Sequence, residues 1–172
     1  MAKFLVTGYP GTGKSSVAHE LRRRGHFAYD TESMRGYMHV ENVETGRHVP
    51  LPSPVPAGWF DTNSYVWDII RVSQLLLEHD DVYLCALADN QEQLYAAFDK
   101  IFILLLDETL LRQRLESRST TSYGKDSQEL SDIMKMHRHF EASLLNAGAI
   151  AINTDKSLPD VVTEILKLSK TS

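Results

Sequence analysis

Gly8-Tyr9-Pro10-Gly11-Thr12-Gly13-Lys14-Ser15 fits the pattern G-x-x-x-x-G-K-[ST] in full. Before it stands Lys3-Phe4-Leu5-Val6-Thr7, a short apolar run of β type. After it comes Ser16 to Arg24, rich in helix formers and closed by Gly25 as a C′ residue. Strand, glycine-rich loop and helix together turn the string into a phosphate-binding device. The glycines let the backbone turn tightly, so that successive N–H groups point inward at a phosphate. The helix start adds unpaired N–H groups and the positive end of its dipole. Gly8, Gly11, Thr12, Gly13, Lys14, Ser15 and Ser16 are thus expected to hold the nucleotide. Lys14 reaches the β- and γ-phosphates, and the Ser15 hydroxyl is a ligand of magnesium.

Outward from the loop, Phe27-Ala28-Tyr29-Asp30 reads as a second strand ending in an acid, and Thr31 to Val40 as a short helix. Glu41 to Gly58 carries four prolines and two glycines, which predicts a long surface excursion without regular structure. Asp61-Thr62-Asn63 offers caps for a helix that runs to His79 on the spacing of Tyr65, Val66, Ile69, Ile70, Val72, Leu75 and Leu76. Asp81 to Leu87 is a third strand, and Asn90 to Phe98 a short helix. Lys100 to Asp107 is the strongest strand, and its unbroken apolarity suggests cover on both faces. Helices over Glu108 to Arg118 and Asp126 to Asn146 flank a polar stretch. A last strand, Ala149 to Asn153, precedes a last helix, Pro159 to Ser169. Five strands alternating with helices predict an α/β, three-layer domain with a parallel sheet. Right-handed crossovers then bring Gly8, Asp30, Ala88-Asp89 and Asp107 to one rim.

The length of 172 residues suits one domain over 1–172, and 42% apolar with 24% charged residues is ordinary for a soluble protein. A formal charge of −5 argues against a surface devoted to nucleic acid. The single cysteine, Cys85, excludes an intrachain disulfide and suits a cytoplasmic location. No basic segment with an apolar core opens the sequence, and no apolar run approaches a bilayer span, so neither a signal peptide nor a membrane partner is expected.

The loop spelling and the element order resemble the nucleoside-monophosphate-kinase-like group of P-loop kinases, which includes adenylate, cytidylate, shikimate and gluconate kinases. The resemblance implies a five-stranded sheet in the order 2-3-1-4-5, a short lid over about 114–126, an acceptor-binding insertion over about 31–60, and ATP with Mg2+ as cofactors. Asp30-Thr31-Glu32 matches the acid-x-acid of shikimate-type members, and Arg35 the acceptor arginine of adenylate-type members. Arg114 and Arg118 match the arginines that open the lid and stabilise the transferred phosphoryl group. The third strand ends in Leu87-Ala88-Asp89-Asn90, neither the Asp-Gly nor the glycine triplet of those relatives. The acceptor is therefore expected to differ from theirs, and the magnesium-associated acid is either Asp30 or Asp89. The lid stretch has no Cys or His cluster, so no structural zinc is expected.

Each candidate has a plainer role. Asp30 either takes a proton and positions magnesium or caps a turn, and Asp89 either meets substrate or caps the helix after Asn90. Asp107 is expected to be a cap. Arg112, Arg114 and Arg118 form either a phosphate clamp or a solvated face, with Glu108 paired to Arg112. His137 and His139 face apart on a helix, and Cys85 reads as core. Trp59, Phe60, Tyr65 and Trp67 either wall a base or pack a core. The sequence points to a small-molecule kinase, acting on a nucleoside or nucleotide held by Arg35, Glu32 and Asp89, as a monomer or homodimer. The rivals are an NTPase or nucleotide-dependent binding module, and a kinase of a hydroxy acid or sugar.

Overall fold

Alternate residues of one strand face opposite sides of a sheet, and here both sides are apolar. Phe4 and Val6 pack on one side of the first strand and Leu5 on the other, all nearly inaccessible. The computed structural model describes residues 1–53, 55–56, 58–117 and 127–171. In chain order it runs β1 (Ala2–Thr7), α1 (Lys14–Arg23), β2 (Phe27–Asp30), β3 (Met38–Asn42), β4 (His48–Val49) and a 3-10 turn (Trp59–Asp61). Then come β5 (Asn63–Trp67), α2 (Ile69–Leu77), β6 (Asp81–Cys85), a 3-10 segment (Gln91–Ala97) and β7 (Lys100–Leu105). The chain closes with α3 (Glu108–Ser117), α4 (Ser127–Asn146), β8 (Ile150–Asn153) and α5 (Leu158–Ser169).

The main sheet has the order β2-β6-β1-β7-β8, all its pairings parallel. The labels depart from 2-3-1-4-5 because three further strands intervene in the chain. Counted within this sheet alone, the members are its second, third, first, fourth and fifth strands. Helices α1 and α5 cover one face through Val17, Leu21, Val161 and Ile165, while α2 covers the other with Val72, Leu75 and Leu76. A third cluster joins α3 and α4 to Tyr9 of the phosphate loop. The expected three-layer α/β architecture is what the chain forms.

Between β2 and α2 the sequence expectations need correction. Thr31 to Tyr37 is a series of turns rather than a helix, and β3 follows. The stretch from Glu41 to Gly58 is not devoid of regular structure, since β4-β3-β5 forms a second, antiparallel sheet. The β3–β4 hairpin is closed by Asn42, whose Oδ1 accepts from Thr45 N at 3.1 Å, and by Gly46 at φ 63°. The helix predicted from Asp61 to His79 is shorter, because Asn63 to Trp67 pairs with β3. The true N-cap is Asp68, accepting from Arg71 N at 3.0 Å. Tyr65, Val66 and Trp67 satisfy helical spacing and strand propensity alike, and pairing with β3 decided between them. Among the described residues no helix is long and apolar enough to cross a membrane.

Candidate functional site

The phosphate loop joins β1 to α1. Gly11 and Gly13 hold φ of 94° and 106°, values that side-chain-bearing residues rarely adopt. At Gly11 there is a second demand, since a Cβ would lie 2.9 Å from Leu111 Cδ1, so the loop can press against α3 only without one. At Gly13 nothing lies within 4 Å, and the backbone alone requires glycine. Thr12 is buried and ties the turn, its N and Oγ1 donating to Tyr9 O at 3.2 and 2.8 Å. No side chain caps α1, and the N–H groups of Lys14, Ser15 and Ser16 have no carbonyl behind them. They form an anion site at the positive end of the helix.

Lys14 is 6% exposed, and its Nζ donates to Gly8 O at 2.9 Å. It also lies 3.2 Å from Glu32 Oε1, which accepts the Leu87 N–H at 3.0 Å. Lysine from α1, glutamate from the turn after β2 and backbone from beyond β6 thus meet at one oxygen. Asp30 ends β2 and is 7% exposed; its Oδ1 accepts the Glu32 N–H at 3.2 Å, and its carbonyl holds Ser33. The structure therefore brings Lys14, Asp30 and Glu32 together. The exposed Ser15 hydroxyl and the second oxygen of Asp30 have no protein partner among the described residues. Hydroxyl and carboxylate are the hard oxygen donors that magnesium takes, so both fit the metal that the fold family implies.

Asp89 has a different occupation. Its Oδ2 accepts from Tyr65 N at 2.7 Å and its own N–H donates to Tyr65 O at 2.9 Å. It sits at the rim, where packing pushes the carboxyl up and the Tyr65 N–H pulls it back. Asn90 clasps the next residue but one, accepting from Trp67 N at 2.9 Å and donating to Trp67 O at 3.0 Å. Neither caps the segment that follows; both bolt β5, and with it the small sheet, onto the end of β6. Thr31 Oγ1 adds a third fastening by accepting from Trp67 Nε1 at 2.9 Å. Trp67 is 1% exposed and packs with Leu5, Val72 and Leu84, so it cannot offer a base its face. Trp59 and Phe60 contact each other edge to face.

Tyr65 is a residue that spacing alone did not single out for the acid pair. Its phenol is pushed up by burial, then by the charges of Glu32 and Asp30. A sequence signal for this was absent, because the strand itself was hidden inside a helical pattern.

Arg35 is exposed and has no hydrogen bond or ion pair among the described residues, so no contact joins it to Lys14 or Asp30. Arg114 donates from Nη2 to Thr154 O at 3.0 Å, fixing α3 to the segment after β8. Arg118 lies outside the described residues, as does the lid stretch from 118 to 126. Glu108 pairs with Arg138 of α4 rather than with Arg112. Asp107 caps α3, its Oδ1 accepting from Thr109 N at 2.9 Å. Cys85 is fully buried, and burial pushes its thiol far up, which leaves it a core residue and no nucleophile.

Solved structures share this fold. Shikimate kinase from Bacteroides thetaiotaomicron superposes with a TM-score of 0.63 at 16% identity, covering 99% of each chain. Deoxyadenosine kinase from M. mycoides with bound dATP gives 0.60 at 11% identity, over 99% of this chain and 100% of that one. A gluconokinase from Sinorhizobium meliloti 1021 gives 0.55 at 16%, over 98% and 91%. No curated protein sequence matches. The model of one family, described as an AAA domain, matches residues 5–135, from β1 across the phosphate loop and the acid pair into α4. That match spans well over half of the chain, and the protein belongs to the AAA domain family.

Proposed function

We propose that the protein is an ATP-dependent phosphotransferase whose acceptor is a small molecule, a nucleoside or nucleotide. The observation that carries this is the convergence of Lys14, Glu32 and Asp30 where β1, β2 and β6 end. A phosphoryl transfer needs cationic and N–H groups for the phosphates and a carboxylate for the acceptor's proton, side by side. The kinases that share the fold support transfer rather than simple hydrolysis.

Lys14 exchanges Gly8 O and Glu32 for the β- and γ-phosphates, and the N–H groups of Gly13 to Ser16 hold the phosphate oxygens. Ser15 and Asp30 would hold magnesium, which would supply positive charge against the phosphates. Glu32, released from Lys14, accepts a hydrogen bond from the acceptor, which approaches from beneath the small sheet. The acceptor oxygen attacks the γ-phosphorus; its new P–O bond replaces the bond to the β–γ bridging oxygen, and ADP leaves with that electron pair. Asp30 takes the proton where the acceptor is a hydroxyl and passes it to water. Arg35 binds the acceptor's anion where there is one, and Arg114 with Arg118 stabilises charge spreading over the γ-phosphoryl group. In this scheme 31–60 belongs to the acceptor insertion, which β5 extends to Trp67, and 114–126 is the lid of one domain. The protein is a cytoplasmic monomer or homodimer.

A second reading, an NTPase that drives a binding module, is favoured by the AAA domain match. ADP release from ATP-Mg is measured with and without nucleosides, nucleoside monophosphates, sugars and hydroxy acids. Acceptor-dependent ADP with a phosphorylated product is expected. ADP release of equal rate in every arm would replace the kinase by the NTPase.

A further inference from the structure

We propose that the cavity between the Gln91–Ala97 segment and α4 holds the acceptor's planar heteroaromatic base, so that the acceptor is a nucleoside or its monophosphate bound base-first. This rests on the kinase reading and gives its acceptor a place. The cavity measures about 500 Å³, within the range of small-molecule sites. Two of its lining residues lead to the phosphate site. Tyr9 of the phosphate loop lines one wall, and Leu87 lines another. The Leu87 N–H is bonded to Glu32, whose same oxygen meets Lys14. A ligand that fills the cavity therefore touches Leu87, which Glu32 links to the phosphate-binding lysine.

The walls select a flat, mostly apolar body. Tyr95 stands on the 3-10 segment, and Met136 and Phe140, one turn apart, face the cavity from α4. Phe140 is held edge-on to Tyr9, with ring centroids 5.7 Å apart, which fixes one wall to the phosphate loop. The polar groups lie at the edges and differ by side. Asp89 and Glu92 offer acceptors beside the 3-10 segment, while Lys135 and His139, one turn apart, offer donors on α4. Tyr95 takes a hydrogen bond from Gln91 Nε2 at 2.9 Å, which turns its own proton outward as a further donor. Burial pushes that phenol up, so the proton stays on.

A heteroaromatic base matches this division: two apolar faces, with donors and acceptors confined to its edge. A polyhydroxylated acid or sugar does not, because its hydroxyls point all round and those facing Met136 and Phe140 would lose water without gaining a partner. With the base inside, the sugar end emerges at Leu87, toward Glu32 and the γ-phosphate.

The test uses the whole chain labelled with ¹³C-methyl methionine, the Met136 signal being assigned through Met136→Leu. Adenosine, cytidine, guanosine and their monophosphates are titrated without ATP, with gluconate and shikimate as controls. A nucleoside or monophosphate should shift the Met136 methyl with saturation below about 1 mM, and the controls should not. Phe140→Ala should raise the acceptor KM about tenfold, the scale of a lost aromatic contact, and leave that of ATP within about twofold. Tyr95→Phe, which keeps the ring, should raise it severalfold and serves if Phe140→Ala does not fold. A nucleoside phosphorylated with unchanged KM by both variants and a silent Met136 overturns the cavity assignment while the kinase reading stands. A Met136 shift without any product in the transfer assay keeps the cavity as a base site and removes the kinase. A shift with gluconate or shikimate instead overturns the base.

Discussion

The two sheets of this protein are held by different forces. The parallel sheet is sealed by apolar cover on both faces, with Leu5, Val6, Leu84, Ile103 and Leu104 wholly inaccessible. The antiparallel sheet buries far less, and its edge strand β5 is fastened by polar side chains: Asp89 on the Tyr65 backbone, Asn90 on the Trp67 backbone, and Thr31 on the Trp67 indole. Hydrophobic cover makes a rigid platform, whereas a few polar fastenings make an attachment that can be undone one residue at a time. The phosphate loop stands on the platform and the proposed acceptor insertion hangs from the attachment. The same division should run through the kinetics, with nucleotide chemistry failing as a whole and acceptor binding failing by degrees.

The largest effect is expected on the platform. Lys14→Ala should lower phosphoryl transfer by about 10³-fold, the upper scale for a lost charge-stabilising donor, with a wild-type melting curve in the absence of nucleotide. Turnover near wild type would remove Lys14 from the chemistry. Asp30→Asn comes next. It keeps the Oδ1 contact to the Glu32 N–H but removes the charge, and should lower kcat by about 10²-fold with little change in either KM. Asp107→Asn, at a cap away from the acid pair, should leave kcat alone. A reversal of the two would move the catalytic acid to the end of β7.

On the attachment, Asp89→Ala frees the Tyr65 N–H and loosens β5 from β6. The acceptor KM should rise about tenfold while kcat and the ATP KM change little, because Asp89 holds the proposed acceptor insertion and lines the proposed base cavity but is not part of the phosphate loop. If the ATP KM rises in step, the two sheets are not separable in the way their fastenings imply.

What the sequence could and could not disclose follows the same line. Continuous apolar runs such as Ile101 to Leu106 announce a strand covered on both faces, and the loop pattern needs only eight adjacent residues. The parallel sheet and the phosphate loop were legible for that reason, while the strand order came only from the resemblance to a kinase group. The acid pair was legible because Asp30 and Glu32 lie beside the end of a readable strand. The small sheet was not, because β3 and β5 are separated by a proline-rich stretch and β5 is fastened to Asp89 and Asn90, more than twenty residues further on. No local pattern records that Asp89 holds the Tyr65 backbone. Trp67 went the same way: an aromatic residue near a candidate site looks like a stacking surface until its burial under α2 is seen.

The smallest effect tests whether the platform's own charges stay out of function. Glu20 of α1 is 5% exposed and accepts from Arg23 Nε at 2.7 Å and from Arg24 Nε at 2.8 Å. Arg24 in turn bonds Thr163 and Pro159 of α5, so the carboxylate orients the side chain that ties two helices of one layer. Hydrogen bonds from Arg23, then from Arg24, lower the Glu20 carboxyl from 4.5 to about 2. A depressed carboxyl stabilises the folded state above its unfolded value and ceases to do so as pH falls through the folded one. Glu20→Gln should therefore lower Tm by about 2–4 °C at pH 7, and the gap to wild type should narrow from pH 4.5 downward and close near pH 2. Both KM values and kcat should stay at wild type, in contrast to Asp89→Ala. A Tm gap of constant size across that pH range would mean that packing of the Glu20 side chain, and not its charge, stabilises the joint between α1 and α5.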